Sequence, residues 1–225
     1  MVYKSKHEGF KNPLKINQTD NQKVYFTSDT HFNHGAPWIV EERGFNSIKE
    51  HDDFIVNRIN EHVKENDILF HVGDFCVDSI KEEAIELLNR ISCKTIYFIW
   101  GNHDNAIRSL YSDVIQQNYS ITSNLEIYPI TLINKFHILG HYKEVEVDDK
   151  QIVLAHYPLH IWNQTVHGSW CLNGHSHHTC PVTQKNHKEC KTLDVGWDGH
   201  TKPLSISDLE NIMKNKKHVL RDKSH

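Results

Sequence analysis

The sequence predicts a mixed α/β layered architecture, and three observations carry that expectation. Short β-branched and aromatic runs recur at Val24–Thr27, Ile68–Val72, Thr95–Trp100, Ile152–Ala155, Trp170–Leu172 and Leu193–Val195, and such runs read as buried strands. In the first half they alternate with helical patterns, an order that requires parallel pairing through crossover helices. The second half holds more strands and fewer helices.

Each element has a local reason. Ser47-Ile48-Lys49-Glu50 is a capping box, in which the hydroxyl takes the N3 amide and the carboxylate reaches back. Ile48, Ile55, Ile59 and Val63 then recur at helical spacing. Ser79-Ile80-Lys81-Glu82 repeats the device before Ala84, Leu87, Leu88 and Ile91, and Ser207-Asp208-Leu209-Glu210 opens a third helix. Tyr142–Val147 and Gln151–Leu154 flank Asp148-Asp149-Lys150 and form a hairpin. Residues 1–22 read as a polar leader, and 214–225, with five basic residues and one acidic one, as a solvated basic tail. The expectation is one domain over residues 1–225.

Composition bounds the function. Of 225 residues, 38% are hydrophobic and 24% charged, an ordinary globular balance. The longest apolar run, Ile96 to Trp100, falls far short of the ~20 residues of a membrane span. Residues 1–21 contain no apolar signal core, so a cytoplasmic chain is expected. A net charge of −4, from 25 basic and 29 acidic residues, excludes a strongly cationic nucleic-acid coat. The five cysteines form no CxxC and read as reduced thiols. Cys180 and Cys190 lie near His177, His178 and His187, but their irregular spacing disfavours a zinc knuckle. The outlier is histidine, with 19 copies against five arginines.

The chemistry sits where strands end. Asp29-Thr30-His31 follows the first strand, Gly73-Asp74 the second, and Gly101-Asn102-His103-Asp104 the third. His156 follows Ile152–Ala155, and Gly174-His175-Ser176-His177 follows Trp170–Asn173. Ligands of open α/β sheets bind outside the carboxyl ends of strands. Carboxylate, amide oxygen and neutral imidazole together suit Mn, Fe, Zn, Ni or Co. One Asp-x-His alone is weak evidence; five such elements in this order amount to a metal site.

These motifs resemble those of the calcineurin-like metallophosphoesterases, whose pattern runs D-x-H, G-D, G-N-H-D/E, H, G-H-x-H. Every motif is intact between residues 24 and 200. The chain looks most like the small stand-alone bacterial and phage-type members. The resemblance implies a four-layer α/β/β/α sandwich of two mixed sheets with a two-metal centre at the sheet edge. It implies that Asp29, His31, Asp74 and His177 hold one divalent ion. It likewise implies that Asp74, Asn102, His156 and His175 hold the other, with Asp74 shared and Mn²⁺ the first choice of metal. It places His103 beside the leaving oxygen as general acid, oriented by Asp104. Two ions activate a water for in-line attack on phosphorus.

Departures from the family narrow the substrate. Its protein-phosphatase branch carries G-D-x-V-D-R-G and G-N-H-E. Here Gly73-Asp74-Phe75-Cys76-Val77-Asp78-Ser79 lacks the D-R-G, and Asp104 stands for Glu, which disfavours a protein phosphatase. Asp78 is read as serving the helix start at Ser79. The expected activity is hydrolysis of a nucleotide or single-stranded nucleic-acid phosphodiester. The alternatives are a phosphomonoesterase acting on a small metabolite and a non-catalytic module on the same fold. His34 either touches the site or lies at the surface. Aromatic residues between Tyr157 and Trp170 either stack a base or pack the loop, and Asp194–Asp198 closes the rim of the site.

Overall fold

The computed structural model describes residues 10–119 and 130–217. Among the described residues there are ten strands: β1 Leu14–Ile16, β2 Val24–Thr27, β3 Ile68–His71, β4 Thr95–Ile99, β5 Phe136–Gly140, β6 Tyr142–Val147, β7 Lys150–Ala155, β8 Trp170–Asn173, β9 Thr192–Asp194 and β10 Leu204–Ser205. The helices are α1 Pro37–Glu42, α2 Ile48–His62, α3 Lys81–Arg90, α4 Asn105–Tyr119, α5 Ile130–Ile133, α6 Trp197–His200 and α7 Ile206–Met213.

The strands form two mixed five-stranded sheets, ordered β1-β6-β7-β8-β9 and β10-β2-β3-β4-β5. β2, β3 and β4 pair in parallel, with α2 and α3 as crossovers, as the alternating pattern requires, and β5, which the sequence reading did not identify, adds in parallel beside β4. β3 is buried at every position, the expected state of a central parallel strand covered on both faces. β6 and β7 form the antiparallel hairpin, with Asp148 in a left-handed turn conformation at φ 51°. Between the sheets lies an apolar layer containing Val24, Phe26, Phe70, Val145, Leu154 and Leu172. On the far face of the second sheet, Leu69, Ile96 and Phe98 meet Ile55, Ile59, Leu88 and Leu110 from α2, α3 and α4. The chain is thus an α/β fold of two mixed sheets with flanking helices. Among the described residues, no helix is long and apolar enough to cross a membrane.

Several boundaries differ from the sequence reading. Ser47 caps α2 as expected, taking the Glu50 amide at 3.2 Å, but the Glu50 carboxylate accepts from the Asn46 amide. α3 begins at Lys81, because Asp78 turns left-handed (φ 53°) and the Ser79 hydroxyl is drawn back to the Val77 carbonyl. Neither Ser79 nor Asp78 therefore stands at the helix start. α7 is capped by Ser205 instead of Ser207, with Asp208 closing a reciprocal pair at 3.0 and 3.1 Å. The polar leader contains β1, which pairs in parallel with β6. The tail begins docked: the Lys216 ammonium is buried and donates to the carbonyls of Gln184 and His187 at 2.7 and 2.8 Å. The remainder of the expected leader and tail, residues 1–9 and 218–225, lies outside the described residues.

The cap assignment is open to a stability measurement. Ser205→Ala should cost about 1 kcal/mol of unfolding free energy. Ser207→Ala should stay within about 0.5 kcal/mol of wild type in the same urea titration.

Candidate metal centre

Five loops leave the carboxyl ends of β2, β3, β4, β7 and β8 and meet at one edge of the two sheets. Their backbones are unusual. Asp29, His31, Asp74, His175 and His177 all have positive φ, between 44° and 65°. Non-glycine residues pay on the order of 1–3 kcal/mol each for such conformations unless the surroundings over-determine them. Here the Asp29 and His31 amides donate to the Gly73 and Asp74 carbonyls at 3.0 and 3.2 Å. Gly101 is required by contact: a Cβ there would strike the Asp74 amide and carboxylate. Gly73 combines a φ of +94° with close approach to the His156 ring.

These loops bring two triads together: Asp29, His31 and His177, and Asp74, His156 and His175. Within each, one ligand atom per residue lies within 4.8 Å of the others. The Asp74 Oδ2 atom joins them, at 3.3 Å from His156 Nε2 and 3.7 Å from His31 Nε2. Asn102 Oδ1 faces His156 Nε2 and His175 Nδ1 at 3.1 and 3.0 Å. His31 Nε2 is buried without a hydrogen-bond partner and stands 3.8 Å from Asp29 Oδ1. Carboxylate oxygens and imidazole lone pairs converging at these separations suit divalent cations of the Mn, Fe, Zn, Ni and Co group.

The opposite ring nitrogens fix the imidazoles. His156 Nδ1 sits 2.9 Å from the Val72 carbonyl, so that nitrogen carries the proton and Nε2 is left to face Asp74. His177 Nδ1 meets Asp198 Oδ2 at 2.8 Å. His31 Nδ1 meets His34 Nδ1 at 3.1 Å, which places His34 inside the site and not on the surface. Burial pushes the carboxyls of Asp29 and Asp74 up, but His31 and His156 outweigh it and hold both below the usual carboxylate range. Burial opposes protonation of His156, yet Asp74 and Asp29 raise it to about 9.

The family model described as Calcineurin-like phosphoesterase matches residues 22–179. The chain belongs to the calcineurin-like phosphoesterase family. An uncharacterised protein of Methanocaldococcus jannaschii is 36% identical over 87 residues, a match spanning 37% of this chain and 47% of that protein, so about half of the relative's length is covered. A protein of unknown function from Aquifex aeolicus superposes with a TM-score of 0.58 at 22% identity, over 85% of this chain and all 100% of that one. The nuclease MPE of Pseudomonas putida superposes with a TM-score of 0.39 at 16% identity, over 68% of this chain and 61% of that one.

Set in the calcineurin-like family, the remaining residues divide clearly. His103 is exposed, its backbone amide donates to Asp74 Oδ1 at 2.8 Å, and its ring lies 5.7 Å from that of His31. Asp104 does not orient it as the resemblance implied. Its buried carboxylate accepts from the amides of Gly101, Phe75 and Asp74 at 2.7, 2.8 and 3.1 Å, and so ties the loop after β3 to the loop after β4. Trp162 and Trp170 are buried in the core, whereas Tyr157 is 49% exposed with its ring 4.4 Å from that of His175. Asp194 binds the Ser176 hydroxyl and the His178 amide at 2.5 and 3.1 Å, holding the loop after β8 from behind.

Sequence reading missed Arg43. Its guanidinium donates to both Asp198 oxygens at 2.8 and 2.9 Å and to the Asp29 and Thr30 carbonyls at 2.8 and 2.9 Å. It also meets His51 Nε2 at 2.9 Å. With His177 on the other side of Asp198, Arg43 locks the first and last motif loops together. Asp104→Asn should lower unfolding free energy by roughly 1–3 kcal/mol, since the carboxamide sets an N–H against buried amide donors. A denaturant titration checks this.

Proposed function

We propose that this chain is a dinuclear metal-dependent phosphodiesterase acting on a nucleotide or single-stranded nucleic acid. The observation that carries the reading is Asp74 Oδ2, placed between an imidazole of each triad at 3.3 and 3.7 Å. In this reading Asp29, His31, Asp74 and His177 hold one ion, and Asp74, Asn102, His156 and His175 hold the second. Divalent ions held there, Mn²⁺ in the first instance, would supply a water of lowered pKa and positive charge to neutralise the phosphoryl oxygens.

The chain's own residues supply the rest. Arg43, through Asp198, fixes the ring plane of His177, and the Val72 carbonyl fixes that of His156. Asn102, His103 and His175 are exposed, so the reacting face admits a substrate with groups on both sides of phosphorus. Tyr157, next to His175, offers one of those groups an aromatic surface. In this reading His103 protonates the leaving oxygen, which the bond from its main-chain amide to Asp74 Oδ1 supports. The single domain over residues 1–225, working in the cytoplasm, belongs to the same reading.

The deciding experiment is an activity screen after Mn²⁺ loading, with a nitrophenyl diester, a nitrophenyl monoester, single-stranded DNA and a phosphopeptide. Diester cleavage should lead, and a phosphopeptide ranked first would overturn the reading. Elemental analysis should find two ions per wild-type chain and none held stably by Asp74→Ala, with activity abolished. His103→Asn should keep both ions yet lose about 10²–10⁴-fold on an unactivated diester, and less on a nitrophenyl ester, whose leaving group needs little protonation. Single-turnover rates at full metal occupancy measure the difference.

A further inference from the structure

We propose that the cavity beside His177 is a nucleobase subsite, so that the diester carries a nucleoside on the Trp38 side of the metal centre. The inference rests on the phosphodiesterase reading and names the substrate class for it. The cavity holds about 590 Å³, within the range of small-molecule sites, and His177 and Asp198 belong to its lining, which makes it continuous with the first triad. Trp38, Phe45, Phe54 and Trp197 supply its aromatic walls. Trp38 is 47% exposed and Phe54 41% exposed, large apolar surfaces left open beside a polar reaction centre. The Trp38 ring stands 5.8 Å from the His177 ring and 5.2 Å from the His34 ring, joining cavity to centre.

Charge selects the occupant. All the Arg43 N–H groups are engaged, by Asp198, His51 and the carbonyls of Asp29 and Thr30. No guanidinium donor is left to receive a second phosphate, and Glu42 adds a carboxylate to the lining. The cavity therefore rejects an anionic neighbour such as a further phosphoryl group or an acidic peptide. Its occupant is uncharged and flat, with a polar edge to meet Glu42, Thr179 and Thr201. A nucleobase has a stacking face and a polar edge, whereas an acyl chain has neither. Stacking on Trp38 accepts any base, because every base has a π-face.

The test uses the full chain loaded with Mn²⁺, wild type against Trp38→Ala, on thymidylyl-thymidine and on the same diester with both bases replaced by hydrogen. The wild type should prefer the dinucleotide, and Trp38→Ala should shrink that preference by about 5- to 150-fold, mainly through KM. Without metal, thymidine 5′-monophosphate should quench tryptophan emission of the wild type far more strongly than ribose 5-phosphate, and Trp38→Ala should abolish the contrast. Equal cleavage of both diesters, with the ratio unchanged in Trp38→Ala, would overturn the subsite while leaving the phosphodiesterase reading intact. Base-dependent quenching with cleavage of neither diester would support the subsite and overturn the phosphodiesterase reading. Absence of both signals would overturn both.

Discussion

Asp29, Asp74, Asp104 and Asp194 are all 0–1% exposed at one sheet edge, and keeping four carboxylates there out of water is the constraint on which the local structure depends. A buried carboxylate needs donors, and each of these takes them from a neighbouring loop. Asp29 accepts from the His175 amide, Asp74 from the His103 amide, Asp104 from the Asp74 and Phe75 amides, and Asp194 from Ser176 and His178. Each carboxylate is therefore a knot: Asp29 and Asp194 tie the loop after β8 to the loop after β2 and to the end of β9, Asp74 and Asp104 tie the loops after β3 and β4, and main-chain bonds from Asp29 and His31 to Gly73 and Asp74 join the two sets. The left-handed backbones of Asp29, Asp74 and His175 fit this arrangement, which turns amides of one loop toward carboxylates of another. Local strain and long-range hydrogen bonding offset one another at the same residues.

Much of this was legible in the sequence for identifiable reasons. Parallel strands covered on both faces read as unbroken apolar runs, so β2, β3 and β4 stood out, and the helices between them fixed their pairing. The clustering of Asp29, His31, Asp74, His156, His175 and His177 could be anticipated because loops at the carboxyl ends of parallel strands share an edge. β1 and β10 were not legible: three and two residues long, they take their pairing from β6 and β2 and carry no periodic signal of their own. α1 and α4 were missed too; α1 spans only six residues, and α4 follows directly on the Asn102-His103-Asp104 motif, which drew the reading to chemistry.

The site's second ring was hidden for a different reason. Arg43 and Asp198 are 155 residues apart, and nothing in the spacing of either announces the other. Asp104 sits inside a motif, so its type was noticed and its work misassigned: the motif specifies a carboxylate, while only the fold reveals that backbone amides claim it. Capping failed on a finer scale. Ser205 and Ser207 are both placed to open α7, and the extended conformation at the end of β10 decides between them.

The two triads share a property with mechanical consequences. Asp29, His31 and Asp74 leave one sheet, whereas His156, His175 and His177 leave the other, so each triad straddles the gap between the sheets. Among the described residues no disulfide sets that gap. The hydrocarbon of Phe26, Phe70, Val145 and Leu172 fills it at near-crystalline density and acts as a spacer. The bite of each triad is thus calibrated by side chains that never touch a ligand, and thickening the layer by a single methylene would widen both bites together.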